Sequence, residues 1–175
     1  SISGDGRLVL FGSNASNLVP GDTNGVADVF VHDLSTGQIT RVSVASDGGQ
    51  GNGASAFPGG DLSGASGAIS ADGRFVAFTS EASNLVPGDT NNTRDVFIRD
   101  TCHGAPAGCT PLTTRVSVAS AGAQANAGSF NFTHSVSGNG RFVAFGSEGS
   151  NLVADDTNGV SDVFVRDTCQ GAPVG

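Results

Sequence analysis

The segment ISADGRFVAFTSEASNLVPGDTNNTRDVFIRD, residues 69–100, is the most informative part of the chain, because the chain contains it three times. The other copies are ISGDGRLVLFGSNASNLVPGDTNGVADVFVHD from Ile2 and VSGNGRFVAFGSEGSNLVADDTNGVSDVFVRD from Val136, so the three copies begin at equal intervals along the chain. A fixed period of this length is typical of stacked supersecondary units. We therefore divide the chain into repeat 1 (residues 1–68), repeat 2 (69–135) and a shorter repeat 3 (136–175).

Each repeat contains short segments that favour β-strands. GRFVAF follows an Asp-Gly or Asn-Gly turn, DVFVRD is a second strand, and RVSVAS, at Arg41 and again at Arg115, is a third. The residues that end in A-I-S or H-S-V-S form a fourth. Apolar residues lie on both faces of GRFVAF, which predicts that each unit packs between two others. No segment has helical periodicity. The predicted fold is all-β, with tandem four-stranded antiparallel blades.

The two RVSVAS segments, which begin at Arg41 and Arg115, are further apart than the period of the other motifs. Repeat 2 has extra residues before its RVSVAS segment, and repeat 1 has an equal number after it, within FPGGDLSGASGA. The two insertions compensate for each other, so the next copy of the repeat returns to register. We predict that both insertions are loops, where changes of length are tolerated.

The pattern S-x-D-G-R-x-V-A-F, then D-V-F-V-x-D, then a turn and R-V-S-V, resembles the TolB-type, WD40-like β-propeller repeat of bacteria over nearly the whole chain. The resemblance implies four-stranded blades around an axis and a binding or scaffolding role. It implies no single ligand, since this family does not carry one fixed chemistry. The period is longer than usual for the family because of the SNLVPGDTNG segment and the Gly-rich loop.

The ends of the repeat series predict an open array. If the blade strands are called A to D, the chain has the order BCD, ABCD, ABC, and only the middle blade is complete. A closed propeller needs about four blades or more. We therefore expect that the chain continues beyond its ends, or that other copies supply the missing strands.

The three cysteines predict one disulfide. Cys102 and Cys109 flank a short Pro-containing loop, and by register the partner of Cys169 would be residue 176. This indicates a truncated second pair in a longer natural chain. The alternatives for Cys102 and Cys109 are two reduced thiols or a metal pair, although one nearby histidine makes a poor zinc pattern. A disulfide favours a secreted or extracellular location.

The loop P-G-D-T-N-G-V-A-D suggests a hard cation, because oxygen ligands recur in it at positions i, i+2 and i+6. Each loop supplies only two carboxylates and one amide, so carbonyl groups and water would have to complete the shell of a tentative Ca²⁺. The alternative is that these residues only stabilise turns. The candidate ligands are Asp22, Asn24 and Asp28; Asp89, Asn91 and Asp95; and Asp156, Asn158 and Asp162.

Two further sets of residues are candidates for structural roles. Arginines and aspartates recur in register at Arg7, Arg74 and Arg141 and at Asp33, Asp100 and Asp167, which suggests repeated ion pairs or solvated blade edges. Possible glycosylation sites of the N-x-[ST] type occur at Asn14, Asn91 and Asn131.

Composition narrows the possible functions. The net charge is −8 and every basic residue is an arginine, which disfavours a nucleic-acid partner. No apolar run approaches the length of a membrane span. Motifs for Ser-His-Asp, H-E-x-x-H or phosphate-loop chemistry are not found in the sequence. We therefore predict no enzymatic activity and no catalytic residues.

Two functions remain. The first is a non-catalytic extracellular structural protein that associates with other copies of itself, head to tail, into rings or filaments through its incomplete terminal blades. The alternative is a calcium-dependent carbohydrate- or protein-binding propeller module. With no Trp or Tyr, sugar stacking would fall to Phe57, Phe130 and Phe132, for which core packing is the simpler role.

Overall fold

The computed structural model describes residues 1–55 and 67–169, excluding the side chains of residues 131–134. Three antiparallel sheets, which we call blades 1, 2 and 3, follow one another along the chain. Blade 1 contains β1 (Leu8–Ser13), β2 (Asp28–Asp33) and β3 (Ile39–Arg41). Blade 2 contains β4 (Ala68–Ile69), β5 (Phe75–Ser80), β6 (Asp95–Asp100) and β7 (Leu112–Arg115). Blade 3 contains β8 (Ser129–Val136), β9 (Phe142–Ser147) and β10 (Asp162–Asp167).

The predicted all-β array of open, four-stranded blades is confirmed. Blade 2 has four strands in sequential order, whereas blades 1 and 3 have three each. Blade 1 retains a trace of its missing first strand, because Ile2 forms an isolated antiparallel bridge with Val9. In the described part of blade 3, β10 pairs with β9 and forms the outer edge of the sheet.

The blades pack face to face through two apolar clusters. We call the side of a blade that faces the next one its trailing face, and the opposite side its leading face. Leu8, Leu10 and Val29 on the trailing face of blade 1 contact Val76 and Phe78 on the leading face of blade 2.

The same arrangement recurs between blades 2 and 3. Phe75, Ala77 and Val96 on the trailing face of blade 2 pack against Val143 and Phe145. All six residues of β5 and all six of β6 are buried. The prediction that GRFVAF is covered on both faces is therefore correct for the middle blade.

The SNL segment links neighbouring blades. Asn84 accepts a hydrogen bond from the amide of Asn52 in the preceding blade and donates one to the carbonyl oxygen of Gln50. Asn151 bonds Asn126 and Gln124 in the same way, one blade further on. The leucines that follow, Leu85 and Leu152, are buried in the two clusters. This segment therefore contacts two neighbouring blades.

In blades 1 and 2, the strand that contains the start of RVSVAS is shorter than predicted. β3 and β7 end at Arg41 and Arg115, so most of RVSVAS lies beyond the strand. The reason is that the Ser43 side chain accepts the hydrogen bond of the Val29 amide, at 3.1 Å, which a regular ladder would give to the main chain. Ser117 does the same for Val96. The insertion before the second RVSVAS lies in the β6–β7 connection as predicted, whereas most of the other lies outside the described residues.

Two phenylalanines at the same repeat position test the packing of one blade on the next. Phe75 and Phe142 hold the same repeat position, but Phe75 is 2% exposed and Phe142 is 43% exposed. We expect Phe75→Ala to lower the free energy of unfolding by about 3–5 kcal/mol, through lost burial and a residual cavity. Phe142→Ala should lower it by about 1 kcal/mol or less. Urea denaturation at low protein concentration measures both, and equal losses would contradict the assignment of blade 3 as the uncovered end.

Candidate functional site

Two of the three predicted aspartate loops hold an arginine between their carboxylates. One guanidinium nitrogen of Arg41, Nη1, lies 3.2 Å from an oxygen of Asp22 and 3.2 Å from an oxygen of Asp28. Both aspartate side chains are almost inaccessible to solvent. We call this unit an arginine clasp, because it joins the SNLVPGDTNG loop to the start of β2 and the end of β3.

Blade 2 contains the same clasp. Nη1 of Arg115 lies 3.0 Å from Asp89 and 3.3 Å from Asp95, and it also donates to the side-chain oxygen of Gln124 at 2.8 Å. Ser117 donates to the other oxygen of Asp95. A buried carboxylate is costly unless it is paired and hydrogen-bonded, and here both conditions are met.

The asparagine side chains of the two loops also bond the carboxylates of the clasps. Nδ2 of Asn24 donates to Asp28 at 3.0 Å, and Nδ2 of Asn91 donates to Asp95 at 3.0 Å. The amide nitrogen, rather than the amide oxygen, therefore faces the carboxylate. Burial and repulsion from Asp95 raise the pKa of Asp89, and the attraction of Arg115 opposes both effects.

The third loop has no arginine between its carboxylates in the described part of the chain. Nδ2 of Asn158 still donates to Asp162, at 2.8 Å, so the turn itself keeps the shape that it has in the other repeats. By register, the arginine would follow β10, as Arg115 follows β6 in repeat 2. Asp162 is partly exposed, whereas Asp28 and Asp95 are fully buried.

The trailing face of blade 3 is exposed beside this loop. Val163 and Val165 are each 69% exposed, whereas their counterparts in blade 2, Val96 and Ile98, are buried in the cluster against blade 3. Phe142, also on this face, is half-exposed. We refer to Phe142, Val163 and Val165 as the open trailing face. Such an apolar patch next to an unpaired strand edge is typical of a binding surface.

The repeated Arg–Asp pairs lie within the blades as two-pronged ion pairs. Arg74 donates from Nε and Nη2 to the two oxygens of Asp100, at 2.8 and 2.6 Å. The pairs Arg7–Asp33 and Arg141–Asp167 have the same arrangement. Each pair ties the D-G-R or N-G-R turn to the end of the second strand of the repeat, which favours the structural interpretation.

These pairs lower the pKa of their aspartates. Burial raises the pKa of Asp100, but hydrogen bonds from Arg74 and from the Cys102 amide outweigh it, so the net pKa lies below the ordinary value. The guanidinium of Arg7 and then the Ser35 hydroxyl lower the pKa of Asp33 strongly, and Arg141 lowers that of Asp167. The ionised forms therefore stabilise the fold.

The predicted disulfide joins Cys102 to Cys109, with 5.8 Å between their Cα atoms, and closes the β6–β7 loop. Asp100 lies close to both sulfur atoms, but the sulfurs are bonded to each other and are not available as metal ligands. Cys169 is exposed with a free thiol. A disulfide of this kind indicates an oxidising compartment.

The remaining candidates fall in different environments. Asn14 is exposed after β1, whereas the Asn91 amide nitrogen already donates two hydrogen bonds, to Asp95 and to the carbonyl of Ala125, which a glycan would have to displace. Phe130 packs closely against Gly146, so its predicted core role is favoured over sugar stacking. Phe57 and the side chains of Asn131 and Phe132 lie outside the described residues.

The sequence contained a signal for the clasps that the reading of single motifs missed. In repeats 1 and 2, an RVSV segment follows the aspartate loop, and its first residue is an arginine, Arg41 or Arg115. In repeats 1 and 2, the cation between the carboxylates is therefore an arginine of the chain itself, and Ca²⁺ binding by the loops stays a prediction.

The clasp predicts that aspartates at the same repeat position contribute differently to the free energy of unfolding. Asp95→Ala removes the buried partner of Arg115 and should lower the free energy of unfolding by about 3–5 kcal/mol. Asp162→Ala, at the same repeat position without an arginine, should cost about 1 kcal/mol or less. Chemical denaturation followed by circular dichroism makes the comparison, and a loss at Asp162 as large as that at Asp95 would contradict the clasp.

The ion pairs predict the response to acid. Since the folded-state pKa of Asp100 is lowered, its contribution to stability is present at neutral pH and is lost as the pH falls below the ordinary aspartate value of about 3.9. We expect Asp100→Asn to be less stable than wild type at pH 7 and to lose less further stability between pH 5 and pH 3. Thermal melts across this range, with exposed Asp155→Asn as control, provide the measurement. Parallel curves for Asp100→Asn and wild type would overturn the assignment.

No helix in the described residues is long and apolar enough to cross a membrane.

The sequence matches no protein-family model and no curated protein. The fold resembles that of TolB, as the repeat motif predicted. TolB from Acinetobacter baumannii aligns with 95% of this chain and 28% of its own length, at 20% identity and a TM-score of 0.45. A putative TolB from Agrobacterium tumefaciens aligns with 97% of this chain and 50% of its own, at 15% identity and the same TM-score. The chain therefore spans half or less of either structure, and the likeness concerns the fold alone.

Proposed function

We propose that this chain is a non-catalytic, extracellular propeller-type module that binds protein surfaces, and that copies of it associate head to tail. The observation that carries the proposal is the open trailing face of blade 3, where Val163 and Val165 are 69% exposed. The equivalent face of blade 2 is fully covered by the next blade.

The packing between blades supports the leading face of a second copy as the surface that binds this face. Trailing and leading faces already pack together twice, between blades 1 and 2 and between blades 2 and 3. The leading face of blade 1 presents half-buried Val9, Phe11 and Leu18, the counterparts of Val76, Phe78 and Leu85. A second copy therefore offers a surface of the type that a trailing face binds.

The geometry of such a contact favours rings or filaments. A trailing face bound to a leading face joins two different surfaces, so each added copy exposes a new trailing face. Repeated head-to-tail contacts close into a ring if the rotation permits, and otherwise form an open filament. Burial of the two valines and Phe142 of the open trailing face supplies the driving force.

Calcium binding remains a prediction, and the clasps direct it to one loop. A calcium ion at Asp22 and Asp28, or at Asp89 and Asp95, would have to displace a guanidinium group. The pair Asp156 and Asp162 has no such competitor in the described chain, so we propose that any Ca²⁺ affinity resides there.

The assembly proposal is tested by sedimentation velocity over a range of protein concentrations, with negative-stain electron microscopy of the largest species. We expect wild type to self-associate, and Val163→Ser combined with Val165→Ser to be monomeric at the same concentrations. Leu34→Ser removes a comparably exposed apolar side chain from the β2–β3 turn and should leave association unchanged. A wild-type monomer at every concentration, or association that survives the double substitution, would refute the head-to-tail contact.

A further inference from the structure

A cavity of about 200 Å³ lies between blades 1 and 2, beside the D-G-R turn of repeat 2. Its floor is aliphatic and consists of the buried Leu8 and Val42 together with the half-buried Val31. Its rim is polar, and both blades contribute to it. The polar side chains of the rim are Asp33, Gln38, Thr40, Thr101 and His103.

We propose that this cavity binds a phenolic ring, which lies against the aliphatic floor and places its hydroxyl group at the polar rim. Free phenols and the tyrosine side chains of polypeptides share this chemistry. The inference goes beyond the head-to-tail contact, because every residue that lines the cavity belongs to blade 1 or blade 2 and none belongs to the open trailing face.

The size and composition of the floor favour an aromatic ring. Cavities of about 150 Å³ that are lined by apolar side chains bind benzene. The repeat itself places a ring at this position, since the counterpart of Leu8 in repeat 2 is Phe75. Leu8 packs directly on Gly73, and the Phe75 ring packs directly on Gly140, the equivalent glycine one blade further on. The aliphatic side chain of Leu8 leaves room at the first interface for a ring that a ligand supplies.

The rim offers hydrogen-bonding groups that the fold does not use. Among the described residues, the side chains of Gln38, Thr40 and His103 make no hydrogen bond. Oδ2 of Asp33 accepts one hydrogen bond, from Arg7, and a carboxylate oxygen has capacity for more than one. A phenolic hydroxyl at the rim therefore has an ionised acceptor in Asp33 and neutral polar groups around it.

The charge of the rim favours a neutral hydroxyl over an anionic ligand. Hydrogen bonds from Arg7, and then from the Ser35 hydroxyl, lower the pKa of Asp33, so this carboxylate remains ionised and would repel an anion. A sugar fits less well than a phenol, because a sugar ring carries hydroxyl groups around its whole edge. Those directed at Leu8 and Val31 would lose their hydrogen bonds to water without replacement.

The wall that blade 2 contributes is held in place by bonds within the blade. The disulfide between Cys102 and Cys109 closes the loop that carries His103. The amide and the hydroxyl of Thr101 both donate to the carbonyl oxygen of Arg74. A site whose wall is fixed in advance loses less conformational entropy when a ligand binds.

The test is equilibrium dialysis of the intact chain against para-cresol, which has the ring and the hydroxyl of a tyrosine side chain. Because the chain contains no Tyr or Trp, the ultraviolet absorbance of the ligand is measured with little protein background. We expect saturable binding. Para-methylanisole, which has a methoxy group in place of the hydroxyl, should bind about tenfold more weakly, because it cannot donate a hydrogen bond to Asp33.

A matched pair of substitutions locates the site. Leu8→Phe places in the cavity the ring that repeat 2 has at this position, and it should weaken para-cresol binding about tenfold or more by steric exclusion. Leu112→Phe makes the same exchange at a residue that is 45% exposed and does not line the cavity, so affinity should not change. Circular dichroism establishes that both variants are folded.

Three results would overturn the inference. They are the absence of saturable binding, equal affinity for para-cresol and para-methylanisole, and unchanged affinity in a folded Leu8→Phe variant. Tighter binding of methyl glucoside than of para-cresol would identify a sugar site and would also refute it. The comparison of the two ligands uses wild type, so it decides the matter even if Leu8→Phe does not fold.

Dialysis against N-acetyltyrosinamide distinguishes the two sources of the ring. Binding of this compound together with para-cresol supports the phenolic site and assigns tyrosine side chains as ligands. Binding of para-cresol alone supports the site with free phenols as ligands. Since the cavity shares no residue with the open trailing face, either result is independent of the assembly proposal.

Discussion

A buried carboxylate at the first residue of a strand is the constraint on which blades 1 and 2 depend. Asp28 and Asp95 are removed from solvent, and burial of a carboxylate costs free energy unless other groups pair with it. The partners come from three parts of the repeat. In blade 1 they are Arg41 at the end of β3, Ser43 two residues later, and Asn24 of the preceding loop. The clasp therefore fixes three parts relative to one another: the SNLVPGDTNG loop, β2 or β6, and β3 or β7.

This constraint explains why the fourth strand departs from a regular ladder. Ser43 and Ser117 use their hydroxyl groups to bond both the aspartate and the amide that follows it. The residue after the arginine still donates a main-chain hydrogen bond, from Val42 to Val29 or from Val116 to Val96, and beyond it the chain turns into the loop that meets the next blade. There the carbonyls of Gln50 and Gln124 accept hydrogen bonds from Asn84 and Asn151. The clasp within a blade thus positions the contact between blades.

The sequence predicted the elements whose information is local or repeated. The regular period of the repeats, the two-sided apolar pattern of Phe75 to Phe78, and the spacing of Cys102 and Cys109 were sufficient for the blades, the buried middle sheet and the disulfide. The arginine clasps were not predicted, because each arginine is separated from its aspartates by a whole strand and a connection of different length in the two repeats, and only the fold brings them together. The inter-blade role of Asn84 was missed for a similar reason, since its partners belong to the preceding repeat.

The two ends of the array differ physically, although blades 1 and 3 each have three strands among the described residues. At blade 1, residues 1–3 still engage the first strand through the Ile2–Val9 bridge and the hydrogen bonds of Ser1 with Leu10, so the edge is partly covered. At blade 3, the edge strand, the apolar face and the acidic loop are all open together. In a stacked repeat, each unit is stabilised by its neighbours, so an end without a neighbour is both the least stable part and the part with most surface to offer. Because one face of blade 3 is already anchored on blade 2, its other face and edge are held in the geometry that the inner blades use for binding. Such preorganisation would reduce the entropic cost of adding a further blade, which is the physical basis of the proposed head-to-tail association.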